Sequence, residues 1–466
     1  MIRSTSASGW WWVAVVTILV GARADAEGWR AGAATRVITP REPLWMAGYA
    51  SRDRPAEGTE SDLFCKALLL EDARGKRACL VTLDLVAIDR ELAGAVCRRL
   101  EAAHGLSRGE VSLAVSHTHC GPIVGKSLSV MTEVIPPEER DALAAWADTL
   151  ETTIVEVVGE AIAAAGPVEL RHGSGRATFA VNRRANPEAE VPARRAEGRL
   201  AGPVDHDVPV LAVSRTDGAP VAIVFGYACH ATVLSFQQWC ADYPGFAQEA
   251  IQSRHPGVVA LFWAGCGADQ NPLPRRTVEL ARGYGARLAD AVEEVLAGPM
   301  EPVAARLETT FAEIPLRFAS IPSDADLARD RNSADRFVAA RARLLARRRA
   351  ETGRPLDPEY PYPVGLWTLG DPSEGIDWLF LGGEVVVDYC LRFKGERRGT
   401  RTWVTAYAND VMAYVPSRRV LVEGGYEGGG AMVYYGQPSP WAEDVETRIA
   451  DEVRRQGDAP EGTPTP

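Results

Sequence analysis

Between residues 29 and about 302 the chain alternates short apolar runs (78–86, 110–115, 208–213, 221–228 and 258–263) with stretches of helical periodicity (91–103, 137–165, 244–253 and 275–297). That alternation specifies an α/β fold, with mixed β-sheets flanked by helices. Several of the runs lead straight into loops that carry His, Cys or Asn, and in such folds ligands bind where strands end. The chain is 46% hydrophobic and 24% charged, and its 31 prolines and 43 glycines are spread along it. This excludes collagen-like, coiled-coil and wholly disordered chains. One large domain over residues 27–456 is the expected organisation, with a charge-rich helical insertion at about 320–362. Inside that insertion an Arg-dense helix, 336–349, has Phe337, Leu344 and Leu345 as its main large apolar residues. It is expected to be solvated and packed on the body, with peripheral contact to an anionic membrane as the alternative.

The ends of the chain read differently. Arg3, the apolar residues 10–20 and Ala24-Asp25-Ala26 have the order of a signal peptide, with cleavage expected after Ala26. The apolar run is too short for a membrane-spanning helix, which needs about 20 residues. An uncleaved anchor is the alternative. Export to the periplasm or medium is therefore expected, and residues 457–466 are expected to be a disordered tail. A net charge of −11 excludes nucleic-acid binding by bulk charge, and nothing implies an obligate protein partner. Eight cysteines are too sparse for a disulfide framework. Cys120, Cys229 and Cys266 either line a cavity beside the motifs below or are buried small apolar residues.

The strongest local signal is Ser116-His117-Thr118-His119-Cys120-Gly121-Pro122, directly after an apolar strand. If the chain stays extended, His117 and His119 point to one face. They then either bind a transition metal, with one of them free to shuttle protons, or form a hydrogen-bonded polar cluster. Two of only seven histidines fall here. His230 ends another apolar strand and is either structural or a further ligand. His206, between Asp205 and Asp207, reads as a surface turn, and His104, His172 and His255 have no supporting context. Glu384 is a lone carboxylate after the Gly382-Gly383 turn, either seeking a partner within an apolar strand or exposed at its end. Asp388, four residues on, is a possible second acid on the same face. Asn182-Arg183-Arg184 can present an arginine fork to a carbonyl. Tyr414 follows Asn409-Asp410, and Tyr426 sits in a Gly-rich loop that lacks the context of a phosphate loop.

Taken in order, these segments resemble the neutral/alkaline non-lysosomal ceramidase family in its N-terminal catalytic domain. Residues 31–40 and Met46-Ala47-Gly48-Tyr49 look like the family's opening strand and Met-x-Gly-Tyr turn. The resemblance implies Zn²⁺ held by His117, His230, Glu384 and Tyr414, with His119, Arg183 and Tyr426 lining the active site. Tyr414 and Tyr426 keep the family's spacing of twelve residues. It also implies an amide hydrolase that cleaves the N-acyl bond of ceramide or a related lipid with a metal-activated water. His119 would pass protons to the leaving amine, and Tyr426, Arg183 and Asn271 would donate to the oxyanion. Two departures stand out. Gly267-Ala268-Asp269-Gln270-Asn271-Pro272 replaces the family's Gly-Asp-Val-Ser-Pro stretch, so Asn271 occupies the place of its serine. The chain is also not expected to carry the family's C-terminal immunoglobulin-like domain. Alternative readings are cleavage of another N-acyl or ester substrate, such as an N-acylated amino sugar or amino acid, and a non-catalytic metal- or lipid-binding homologue. Iron and manganese suit the same donors as zinc.

Overall fold

The computed structural model describes Met1 and residues 28–458. Apart from Met1, the expected signal segment lies outside the described residues, as does the expected tail from residue 459 on. Gly457 ends the helix Val445–Gly457, and Asp458 caps it.

The largest sheet has nine strands. Eight follow one path: Val259–Ala264, Pro220–Tyr227, Asp207–Arg215, Gly166–Arg176, Trp29–Val37, Phe64–Glu71, Arg77–Leu83 and Val111–Val115. The pair at each end of this path is parallel, and the pairs between are antiparallel. Successive side chains of a strand face opposite ways, and Phe64–Glu71 shows the result. Cys65, Ala67 and Leu69 enter one core cluster, while Leu68 and Leu70 enter another.

The first cluster joins that face of the sheet to helices Arg90–His104, Pro137–Ala163, Asp242–Arg254 and Val278–Ala297. The second joins the opposite face to a four-stranded sheet of Leu307–Arg317, Glu359–Leu369, Ile376–Leu381 and Thr402–Thr405. Tryptophans fill this seam, with Trp378 and Trp403 edge to face at 5.1 Å. Helix Val445–Gly457 covers the far side of the second sheet. The layers are thus helix, sheet, sheet, helix, an α/β architecture built as one domain. No described helix is long and apolar enough to cross a membrane.

The charged insertion forms helices Asp324–Asp330 and Arg336–Thr352. Its last residues, from Glu359, are not insertion but the start of the strand Glu359–Leu369. Phe337, Leu344 and Leu345 are buried. Phe337 meets Tyr434 edge-on at 5.1 Å, and Arg348 Nη1 donates to the Gly436 carbonyl at 3.1 Å. The Arg-rich helix therefore braces the segment that carries Tyr435. All eight cysteines are buried and free.

Five strands deliver the candidate residues to one place. Val111–Val115 runs into His117, Pro220–Tyr227 into His230 and Val259–Ala264 into Asn271. Ile376–Leu381 runs into Glu384, and Thr402–Thr405 into Tyr407 and Tyr414.

Candidate metal centre

His117 reaches the centre by a sharp turn rather than along an extended strand. The strand ends at Val115, and His117 has φ +60°, a left-handed conformation uncommon outside glycine that histidine shares with asparagine and aspartate. The turn still brings His117 and His119 together, with Nε2 atoms 3.1 Å apart. His119 needs room that only a glycine opposite can leave. Gly48 has φ +92°, and a Cβ there would lie 2.5 Å from the imidazole of His119. The Met46-Ala47-Gly48-Tyr49 turn thus seats His119, whose ring meets Tyr49 at 4.9 Å.

His117 and His230 share one arrangement. The Nδ1–H of His117 donates to the Val86 carbonyl at 2.6 Å, and that of His230 to the Gly267 carbonyl at 2.7 Å. A carbonyl only accepts, so in the neutral form of each ring the lone pair sits on Nε2. Both Nε2 atoms point at Glu384 Oε2, 3.2 Å from His117 and 3.1 Å from His230. Burial pushes the His230 imidazole down to about 4, and Arg183 adds to the effect. Burial would raise the Glu384 carboxyl, but the two histidines outweigh it and hold the group ionised. Glu384 Oε2 is buried and accepts no hydrogen bond.

With both rings neutral, three lone-pair donors face one another across 3.1–3.2 Å. Such a set is self-repelling unless a cation lies among them, and two imidazoles with one carboxylate match the donors of zinc sites. The residues present fit a metal ion. Tyr414 stands at the edge of the set, its hydroxyl 3.4 Å from His230 Nε2. It is placed there by the short parallel pairing of Glu384 with Tyr414. By distance alone, His117, His119 and His230 also form a group able to hold an ion.

The remaining candidates form the adjoining wall. Arg183 Nη2 donates to the Tyr414 hydroxyl at 3.1 Å, Nη1 to Asn271 Oδ1 at 3.3 Å and Nε to Glu427 Oε1 at 2.7 Å. With its oxygen engaged by Arg183, the Asn271 amide keeps its Nδ2 donor for another partner. Tyr426 meets Tyr414 edge-on at 5.2 Å. All eight candidate residues thus form one connected group. Asp388 is not part of it: its carboxylate accepts from Ser417 and, at 3.0 Å, from Arg419. His206 and His255 bond elsewhere, to Ala180 and Glu293, and His172 Nε2 lies 3.6 Å from Glu301 Oε2.

Three contributors were not among the candidate residues. Tyr435 donates its hydroxyl to Glu384 Oε1, which leaves Oε2 to face the histidines. Tyr407 stacks on His117 at 4.3 Å, in a left-handed conformation of its own with φ +55°. Glu427 holds both Arg183 and Arg184, each at 2.7 Å.

Residues 30–258 match the family model described as neutral/alkaline non-lysosomal ceramidase, N-terminal. That span includes His117, His119, Arg183 and His230; Asn271, Glu384, Tyr414 and Tyr426 lie beyond it. Among solved structures, the chain is similar to a neutral ceramidase from Pseudomonas aeruginosa, with a TM-score of 0.67 and 21% identity over 95% of this chain and 77% of that one. It is also similar to a ceramidase complexed with C2, with a TM-score of 0.69 and 19% identity over 94% of this chain and 78% of that one. At such identities the likeness is one of fold. No curated protein matches the sequence.

Proposed function

Residues 30–258 place this chain in the neutral/alkaline non-lysosomal ceramidase family, and from that premise we propose a zinc-dependent hydrolase of N-acyl amides, exported and acting on ceramide or a related N-acyl compound. The observation that carries the reading is the convergence of the His117 and His230 Nε2 atoms on Glu384 Oε2. His117, His230, Glu384 and Tyr414 would hold the ion. When bound, zinc supplies a Lewis acid that polarises an acyl carbonyl and lowers the pKa of water to about 7. Such chemistry needs no side-chain nucleophile, so it tolerates Asn271 where the family has serine.

The other roles fall to the chain's own groups. Arg183 is held by Glu427, Tyr414 and Asn271, so its guanidinium is oriented before substrate arrives. Together with Tyr426 and the Asn271 amide it provides donors for a developing oxyanion. His119 carries a proton to the leaving nitrogen.

Elemental analysis of the exported protein is expected to give one zinc per chain, with release of amine from an N-acyl substrate that stops on chelation and returns on adding zinc. Turnover indifferent to a strong chelator would refute the reading.

Tyr435 offers a finer test. Its hydroxyl fixes which oxygen of Glu384 faces the histidines, and loss of such a support typically costs about 10- to 100-fold in metal affinity. Tyr435→Phe is therefore expected to weaken zinc binding by about that factor, read by competition with a chromogenic chelator. An unchanged affinity would show that the hydroxyl plays no part in placing the carboxylate.

A further inference from the structure

The cavity beside the centre is built of polar groups. It is an open hollow of about 540 Å³ whose lining takes in Arg183, Asn271 and Tyr426 of the wall adjoining the centre, a size suited to a small-molecule ligand. Arg184, Arg275 and Glu188 stand around the rest of its wall. Each guanidinium there faces a carboxylate. Arg184 Nη1 lies 2.7 Å from Glu427 Oε2, and Arg275 Nη2 lies 2.8 Å from Glu188 Oε2. The three guanidiniums of Arg183, Arg184 and Arg275 are balanced by the carboxylates of Glu188, Glu423 and Glu427, so the cavity offers no net charge with which to select an anion. What it offers is a ring of fixed donors and acceptors. An alkyl chain placed against them would strip their water and return no hydrogen bond, leaving each group buried and unpaired.

Tyr426 adds the one flat apolar surface. The residue is 48% exposed, while its ring is braced edge-on by Tyr414 and has the Arg183 guanidinium 5.8 Å from its centre. A cavity with an apolar lining does exist, at about 590 Å³ between Ile38, Leu44, Trp146 and Leu150, but it shares no lining residue with the centre. A pyranose matches the first cavity on both counts, with hydroxyls around its rim and a C–H face that lies on an aromatic ring.

We propose that this cavity binds the amine portion of the substrate and that this portion is an amino sugar. The inference rests on the amide-hydrolase reading above and narrows its substrate to an N-acylated amino sugar. In the reaction the oxygen of water bonds to the acyl carbon as the C–N bond breaks, and the electrons of that bond stay on nitrogen. Both protons of the water end on nitrogen, one of them through His119, giving a carboxylate and an amino-sugar ammonium.

The test uses the zinc-loaded protein with N-acetylglucosamine, its β-1,4-linked dimer and N-dodecanoyl sphingosine, measuring released primary amine. Sugar binding is read separately by saturation-transfer NMR. Amine release at least about tenfold faster from a sugar than from the sphingolipid is expected, with saturation passing to the sugar ring protons. Arg275→Leu and Glu188→Gln are each expected to raise KM for the sugar about tenfold, with kcat within about twofold, the pattern of lost binding rather than lost chemistry. Release from the sphingolipid alone, with no saturation of either sugar, would overturn the inference and leave the hydrolase reading standing. No amine from any probe, with zinc bound and no sugar saturation, would overturn both.

Discussion

His117→Ala is expected to lose its zinc and at least about 10³-fold in hydrolysis, because one residue supplies both a ligand nitrogen and the order of the site around it. Its Nδ1–H is anchored on the Val86 carbonyl, and its Nε2 faces Glu384. Removing the ring leaves the Glu384 carboxylate buried beside a single imidazole, and an unpaired buried charge is costly. The zinc that remains must then bind through fewer donors, with a large loss of affinity. Alanine is also poorly suited to φ +60°, so a fold defect has to be separated from a ligand defect. His117→Asn makes that separation, since asparagine tolerates the left-handed region. Elemental analysis after gel filtration and the amine-release assay should give the same loss for both variants, with the melting temperature of the asparagine variant closer to that of the parent. Full activity in either variant would remove His117 from the metal site.

Legibility in the sequence followed the range of the signal. The apolar runs 110–115 and 258–263 lie within one residue of strands Val111–Val115 and Val259–Ala264, because continuous burial and a following loop are local properties. His117 and His119 come together by a route other than strand alternation. Strand alternation predicts a shared face, whereas a left-handed turn at His117 and the missing side chain of Gly48 create the contact. The strand Glu359–Leu369 was hidden by Pro361 and Pro363, which lack backbone donors and read as strand breakers. Pro361 stands opposite Pro315 near the end of the ladder, where few hydrogen bonds are forgone. Tyr435 could not be anticipated, since it meets Glu384 across 51 residues of chain. No spacing rule links two such segments. Arg183 and Glu427, 244 residues apart, pose the same problem, although each lies in a segment whose composition had already marked it.

His119→Ala is expected to keep its zinc while losing about 10²- to 10⁴-fold in rate, the range typical of a lost proton-transfer group. The reason is an asymmetry among three histidines that distance alone does not reveal. His117 and His230 each lock Nδ1–H onto a backbone carbonyl, which fixes the tautomer and commits Nε2 to a ligand role. His119 has no such anchor, since its Nδ1 is buried without a hydrogen-bond partner. Its backbone is held instead, the carbonyl accepting from Arg52 Nη2 at 2.7 Å. The ring is therefore fixed in place but free in protonation, as a proton carrier requires. Burial, then the neighbouring His117 and His230, push its imidazole well below the usual histidine range. It is neutral at pH 7 and takes up a proton only as the reaction supplies one. Zinc content and single-turnover amine release measured on the same preparation separate the two histidine roles. Loss of zinc from His119→Ala would instead assign the ion to His117, His119 and His230 together, and the proton for the leaving amine would then have to come from another donor at the site, such as the exposed Tyr426.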